Sequence, residues 1–197
     1  MLQACMVVEK AQPADLAELV ELEGRCFSSD RLSRRQFKHH IGFEHSLLLT
    51  ARLAGELVGY GLLWLHQGTR LARLYSLAVS QEHQGKGIAR QLMTALESQA
   101  AQLGWFYMRL EVAKRNTAAI ALYKKLGYRV FGEYLNYYED HDDALRMQKC
   151  IRKRAEQATL QVALVSTDDR VYLWACVFDD GDGQHRSELY GRSEPGA

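Results

Sequence analysis

A glycine-bearing turn between a strand pattern and a helix pattern sets the architecture of this chain. Residues 74–79 form an apolar, strand-like segment, and apolar residues recur at helical spacing from Ile88 to Leu103. The turn between them is Gln84-Gly85-Lys86-Gly87, and Gly104 predicts the end of the helix. Glycines let backbone N–H groups approach a ligand, and a helix N-terminus favours negative charge. The turn therefore predicts an anion site, with pyrophosphate as the expected ligand.

The patterns around this turn predict alternating strands and helices. Strands are expected at 5–10, 47–53, 57–65, 71–79, 105–112, 128–134 and 144–149, with helices at 15–25 and 86–103. An S-x-x-Q capping box at Ser33 opens a short helix, and Asn116 is the expected N-cap of a helix that ends at Gly127. The order β-α-α-β-β-β-α-β-α-β-β contains a βαβ unit, so we predict an α/β (α+β) fold with a mixed central sheet flanked by helices.

Length and composition predict one domain with an appendage. The chain has 197 residues, of which 1–150 carry the alternating pattern. Residues 151–197 form a C-terminal extension, in which strand-like runs at 160–165 and 171–178 predict a β-hairpin before a polar, flexible tail.

Charge and cysteine usage bound the possible partners. A net charge of +1 gives no general attraction to nucleic acid or to a membrane surface, and no apolar run approaches the ~20 residues of a membrane span. The N-terminus lacks a signal-peptide pattern, so we expect a cytoplasmic protein. Four scattered cysteines and seven histidines show no metal-ligand spacing, which predicts reduced thiols and no metal.

Three ordered motifs resemble a known family. The turn matches Q-x-x-G-x-A; Leu110-Glu111-Val112 precedes Asn116 and Ala118–Tyr123; and Asn136-Tyr137-Tyr138 precedes 143–147. Residues 5–150 thus resemble the GCN5-related N-acetyltransferase (GNAT) superfamily, and within it the bacterial ribosomal-protein alanine N-acetyltransferases. The resemblance implies the acyl-CoA N-acyltransferase fold, acetyl-coenzyme A as co-substrate, and direct transfer to an amine in a ternary complex. The resemblance ends near Lys149, so it does not decide whether the protein is a monomer or a homodimer.

The resemblance also assigns two catalytic candidates. Glu111 would take the proton of the amine, directly or through water, and Tyr123 would hydrogen-bond or protonate the leaving thiolate. From alternation along the strand alone, an ion pair with Arg109 on the same face is the simpler interpretation of Glu111. From helical periodicity alone, Tyr123 is a core aromatic. The family's spacing between the two favours the catalytic roles.

Coenzyme and acceptor sites follow from the same resemblance. The Val79 amide is our choice for polarising the acetyl carbonyl. The acceptor groove would lie between two loops, one with Phe27 and Leu32 and the other with Tyr137 and Tyr138. The expected coenzyme contacts are Leu77, Ala78, Val79, Gln84, Gly85, Lys86, Gly87, Ile88, Ala89 and Asn116.

The acceptor is expected to be a protein or peptide N-terminus, such as that of a ribosomal protein. A model α-amine is about one-tenth neutral at pH 7, whereas a model lysine is neutral about four times in ten thousand, so an ordinary carboxylate serves an α-amine more easily. A small-molecule amine or a lysine remains the first alternative. A non-catalytic acyl-coenzyme A sensor or assembly module is the second, although the presence of both Glu111 and Tyr123 argues against it.

Overall fold

The computed structural model describes residues 6–138, 141–152, 165–167 and 170–172. The chain divides into two units, residues 1–153 and 154–197. The strands are β1 (Met6–Lys10), β2 (Ser46–Leu53), β3 (Glu56–Leu65), β4 (Leu71–Val79), β5 (Tyr107–Ala113), β6 (Arg129–Tyr134), β7 (Ala144–Cys150), β8 (Val165–Thr167) and β9 (Arg170–Tyr172), and the helices are α1 (Leu16–Cys26), α2 (Arg34–Gly42), α3 (Ile88–Gln102) and α4 (Thr117–Lys125).

A mixed sheet forms the centre of the first unit. Within the described residues it has seven strands in the order β1-β2-β3-β4-β5-β7-β6. β4 and β5 are parallel, joined by α3 as the crossover, and the other neighbouring pairs are antiparallel. The predicted fold class and the predicted element order are therefore confirmed. β7 lies between β5 and β6, an arrangement that the order of elements along the chain does not reveal.

Two cores lie on opposite faces of the sheet. α1 packs on β3 and β4 and α2 packs on β2, enclosing one apolar cluster that includes Leu19, Phe37 and Tyr60. α3 and α4 cover the other face, where the cluster includes Leu96 and Tyr123. β5 alternates accordingly: Met108, Leu110 and Val112 are buried with α3 and α4, whereas Arg109 and Glu111 point to the face of α1 and α2 and are less completely buried. That face consequently stays open beyond β4.

Local signals determine where the helices begin and end. Ser33 Oγ accepts the N–H of Gln36, and the Gln36 side chain accepts the N–H of Ser33, which confirms the capping box. Asn116 Oδ1 caps α4 at the N–H of Ala119 (3.1 Å), and Gly127 follows this helix with φ +92°. α3 begins at Ile88 rather than at 86, because Gly87 is left-handed (φ +80°) and stands as the N-cap.

The second unit contains a short hairpin. β8 and β9 pair antiparallel from Val165↔Tyr172 to Thr167↔Arg170. Ser166 and Thr167 lie between the two predicted strand runs, 160–165 and 171–178, but the structure places both residues in β8. The remaining parts of the two predicted strands and the polar tail lie outside the described residues. Of the helices in the described part of the chain, none has the length and apolar character needed to cross a membrane.

Candidate active site

A gap opens between two strands at the centre of the sheet. β4 and β5 are in register only from Leu71↔Tyr107 to Arg73↔Arg109, although β4 continues to Val79 and β5 to Ala113. The parallel strands therefore part after three residue pairs. The separation leaves one edge of β4 available to a ligand.

The β4 backbone offers hydrogen-bond donors to this gap. The N–H of Ser80 donates to the carbonyl of Val58 on β3 at 2.9 Å, and Val79 stands opposite Gly59. Because N–H groups alternate sides along a strand, those of Val79 and Leu77 point away from β3 and into the gap, whereas that of Ala78 points to β3.

The turn before α3 has the backbone of an anion cradle. Gly85 (φ +75°) and Gly87 (φ +80°) both occupy the left-handed region that side chains disfavour. A Cβ built on either glycine would meet no atom within 4 Å, so a ligand can approach there. The N-terminus of the 15-residue helix α3 opens at the same point. These features fit a pyrophosphate.

The other coenzyme candidates differ in what they can offer. Gln84 and Lys86 are exposed and can reach a ligand with their side chains. The Ile88 side chain is only 3% exposed and packs in the core, so it can contribute only its backbone. Ala89 is half-buried beside it. The side-chain oxygen of Asn116 is already engaged as the cap of α4.

Glu111 is held by an arginine that the sequence did not single out. Arg73 Nε donates to Glu111 Oε2 at 2.8 Å, and only 10% of the Glu111 side chain is exposed. The alternative of an ion pair with Arg109 is wrong, because Arg109 donates instead to Gln148 Oε1 on β7. The reason is the parallel register, which brings Arg73 beside β5. Arg73 also donates through Nη2 to the Tyr137 hydroxyl at 2.8 Å.

Two tyrosines, Tyr137 and Tyr138, lie near Glu111, and a third, Tyr123, lies near Tyr138. Burial raises the pKa of Tyr123, which is 6% exposed, and nearby Tyr138 adds to the rise. Burial, with the charges of Tyr137 and Glu111 next, raises the pKa of Tyr138 to about 12. Tyr137 is exposed and stacks on Tyr134, with ring centroids 5.4 Å apart. The structure thus brings Tyr137 and Tyr138 close to Glu111, and Tyr123 close to Tyr138.

A buried acidic network fixes the loop between α1 and α2. Glu23, 2% exposed, accepts the N–H of Leu32 at 2.7 Å and the hydroxyl of Tyr60, which also bonds Ser76 Oγ on β4 at 2.7 Å. Burial raises the pKa of Glu23. The Leu32 side chain is buried with this core, and Phe27 is half-buried. No sequence pattern marks this network, because its members are separated by 16 and 37 positions along the chain.

A cationic cavity adjoins Glu111. It has a volume of about 390 Å³, and Arg73, Arg109 and Arg146 line it together with Glu111. These residues come from β4, β5 and β7, and no sequence pattern beyond the alternation on each strand indicates the cluster. The predicted absence of a metal stays a prediction. Glu56, Glu82 and His83 bring possible ligand atoms within 4.8 Å of one another, but both carboxylates are exposed, as many acidic groups are without an ion.

Comparison with known proteins agrees with this architecture. The model of the acetyltransferase (GNAT) family matches residues 16–128, which span β2 to β5 and the turn before α3. The crystal structure of the ribosomal-protein-S18-alanine N-acetyltransferase from Escherichia coli superposes with a TM-score of 0.69 at 26% identity, covering 78% of this chain and 98% of that one.

Sequence relatives carry related names. The N-terminal acetyltransferase B complex catalytic subunit NAA20 of Arabidopsis thaliana is 25% identical over 158 residues, which is 80% of this chain and 87% of the relative. The N-alpha-acetyltransferase RimI of Mycobacterium tuberculosis is 32% identical over 133 residues, 64% of this chain and 79% of the relative. The family match covers more than half of the chain, which therefore belongs to the GNAT family and is an N-acetyltransferase.

Proposed function

We propose that this enzyme transfers the acetyl group of acetyl-coenzyme A to the N-terminal α-amine of a protein, by direct attack in a ternary complex. The observation that carries the proposal is the position of Glu111: a nearly buried carboxylate on the open face of the sheet, beside the gap between β4 and β5. The names of the relatives, several of which are N-terminal acetyltransferases, support the choice of acceptor.

The coenzyme, when bound, supplies the acetyl thioester. We assign its pyrophosphate to the backbone of Gln84–Ala89 and the N-terminus of α3, and its pantetheine arm to the free edge of Leu77–Val79. The N–H of Val79, directed into the gap, would donate to the acetyl carbonyl and stabilise the negative charge that develops on its oxygen during attack. Lys86 and Asn116 would add polar contacts at the rim.

Glu111 is the proposed general base. Arg73 engages its Oε2, so we assign Oε1 to accept the proton of the amine, directly or through one water. An α-amine is already about one-tenth neutral at pH 7, which makes this step easy for a carboxylate, whereas a lysine would first have to be desolvated.

Tyr123 is proposed to stabilise the leaving thiolate by a hydrogen bond. Burial raises the pKa of Tyr123, so the phenol stays neutral and able to donate. A model thiol has a pKa near 8.5, below that of the phenol, which makes complete transfer of the proton from Tyr123 unfavourable at equilibrium. The hydrogen bond is therefore the contribution we assign. We assign two loops to the acceptor, one that contains Phe27 and Leu32 and one that contains Tyr137 and Tyr138.

A peptide panel tests this function by mass spectrometry. Peptides with free or blocked N-termini, with and without lysine, are incubated with acetyl-coenzyme A and the wild-type enzyme, Glu111→Gln or Tyr123→Phe. We expect acetylation of free N-termini only. Glu111→Gln should reduce the rate about 100-fold or more, in line with the usual contribution of a general base to a reaction rate. Glu44→Gln, a change at an 82%-exposed carboxylate paired with His45, serves as the control and should retain the wild-type rate.

The panel separates this function from its alternatives. Acetylation of lysine in peptides with blocked N-termini would change the acceptor to a lysine. Acetylation of polyamines or amino sugars in a parallel incubation, with no peptide of the panel modified, would indicate a small-molecule enzyme. Binding of the coenzyme without any transfer would support the sensor.

A further inference from the structure

We propose that the cavity beside Glu111 is a specificity site for a carboxylate side chain of the acceptor, carried by its second or third residue. This inference rests on the proposed function. It would make the enzyme selective for protein N-termini that begin with an acidic sequence.

The cavity holds an excess of positive charge. Three guanidinium groups, those of Arg73, Arg109 and Arg146, share it with one carboxylate, that of Glu111. Arg73 and Glu111 neutralise each other at 2.8 Å. Within residues 6–138 and 141–152, no carboxylate forms an ion pair with Arg109 or Arg146. Two positive charges therefore face this space without a counterion from the described part of the chain.

Arg109 and Arg146 are held in place by neutral groups. The Arg109 guanidinium donates to Gln148 and lies over the Phe131 ring, 5.0 Å from its centroid. The Arg146 guanidinium lies 4.6 Å from the centroid of Phe131 and 4.3 Å from that of Tyr134. Stacking on aromatic faces orients a guanidinium but leaves its N–H groups available to an acceptor. Both arginines are thus preorganised to bind a planar anion.

Arg146 has an unused donor. Its Nε is buried, and among the described residues this N–H has no hydrogen-bond partner. A buried donor left unpaired costs free energy, and the cost is larger for a charged group than for a neutral one. A carboxylate in the cavity would satisfy the Nε and pair with the charge at once, in the bidentate geometry that guanidinium and carboxylate groups share.

The position of Arg146 relative to Glu111 argues for the acceptor as the source of this carboxylate. Glu111 on β5 and Arg146 on β7 are direct cross-strand partners on the same face, which puts their Cβ atoms about 5 Å apart. The reacting amine must lie at Glu111, and an extended peptide advances about 3.4 Å per residue. The side chain one or two residues after the amine can therefore reach Arg146 and Arg109.

The test compares peptides that differ at one residue. Peptides with Ala, Asn, Asp, Glu, Lys or phosphoserine at the second or third position are acetylated by the wild-type enzyme, and kcat/KM is measured for each. We expect Asp or Glu to exceed Ala and Asn by about 10- to 100-fold, as is typical of a charge-assisted contact. We also expect the advantage to shrink as ionic strength rises.

Variants connect the preference to the cavity. In Arg146→Gln, the ratio of kcat/KM between the acidic and the alanine peptide should fall to within about 3-fold of one, and Arg109→Gln should reduce it less. Arg35→Gln removes the same charge from the exposed surface of α2, outside the cavity, and should keep the wild-type ratio. Because each result is a ratio within one variant, partial loss of folded enzyme does not imitate the effect.

The outcomes distinguish this inference from the function on which it rests. Equal rates on acidic, neutral and basic peptides would overturn the specificity site alone, as would a preference that survives both Arg146→Gln and Arg109→Gln. Phosphoserine favoured well above Asp and Glu would replace the carboxylate by a phosphoryl group. Absence of acetylation at every free N-terminus, with other amines modified, would overturn the proposed function and the site together.

Discussion

Gly59 on β3 has no room for a side chain, and Gly59→Ala should weaken both the fold and the coenzyme site. A Cβ at this position would lie 2.9 Å from the carbonyl oxygen of Ala78, 3.2 Å from Leu92 Cδ1 and 3.3 Å from Ile88 Cγ2. The carbonyl belongs to a strand fixed by its ladder, so it cannot turn away as a side chain could. Overpacking of this kind typically costs about 1–3 kcal/mol.

The strain would fall on two segments that we assign to the coenzyme. Ala78 precedes Val79 at the edge of the gap, and Ile88 is the first residue of α3. At about 2–4 °C per kcal/mol for a chain of this size, we expect Tm to fall by roughly 2–12 °C. Because the carbonyl must move, we also expect acetyl-coenzyme A to bind more weakly than to the wild-type enzyme at a temperature where both are folded.

Differential scanning calorimetry and isothermal titration with acetyl-coenzyme A measure the two effects, with Gly24→Ala as the matched control. Gly24 lies on the exposed side of α1, and a Cβ there would meet no atom within 4 Å. Alanine is the better helix former by about 0.5–1 kcal/mol, so this change should raise Tm slightly. A Gly59→Ala variant that matches the wild type in both measurements, or a Gly24→Ala variant that lowers Tm as much, would refute this prediction.

Two further changes test the buried network and the helix cap. Burial raises the pKa of Glu23, so stability due to this group is complete below the unfolded pKa of about 4.3 and is lost as pH rises through the folded pKa. The free energy of unfolding of Glu23→Gln relative to that of the wild type, measured with urea, should therefore be higher at pH 8 than at pH 5. If the variant loses the same stability at both pH values, the carboxylate itself is required. Ser33→Ala removes the cap at Gln36 and should cost about 0.5–2 kcal/mol in the same assay, whereas Ser29→Ala, on an exposed bend, should stay within about 0.5 kcal/mol. Equal values for the two serine variants would contradict the assigned cap.

Much of the fold followed from local sequence. Ser33 with Gln36, Asn116, Gly104 and Gly127 predicted helix ends that the structure confirms. Such signals are local, because a cap or a left-handed glycine acts within one turn of the chain. The start of α3 was placed two residues early, since the left-handed backbone of Gly87 outweighs the helical pattern that runs through it.

The candidate site was predictable only in part. The family spacing indicated Glu111 and Tyr123, but not what surrounds them. Sequence alternation offered Arg109 as the partner of Glu111, because both point to one face of the same strand. The structure instead pairs Glu111 on β5 with Arg73 on the neighbouring strand β4. The choice depends on the register and on where β4 and β5 part, and neither is encoded within a single strand.

The sequence by itself determined the order of the elements, the ends of the helices and the glycine turn before α3, since each depends on interactions between residues close along the chain. Only the tertiary structure decided that β7 inserts beside β5, which brings Arg146 opposite Glu111, and that Glu23 reaches Tyr60 beneath the loop after α1. These contacts join residues 35 and 37 positions apart. They form because packing the two apolar faces of the sheet fixes strand order and register, and with them which polar groups meet on the face left open.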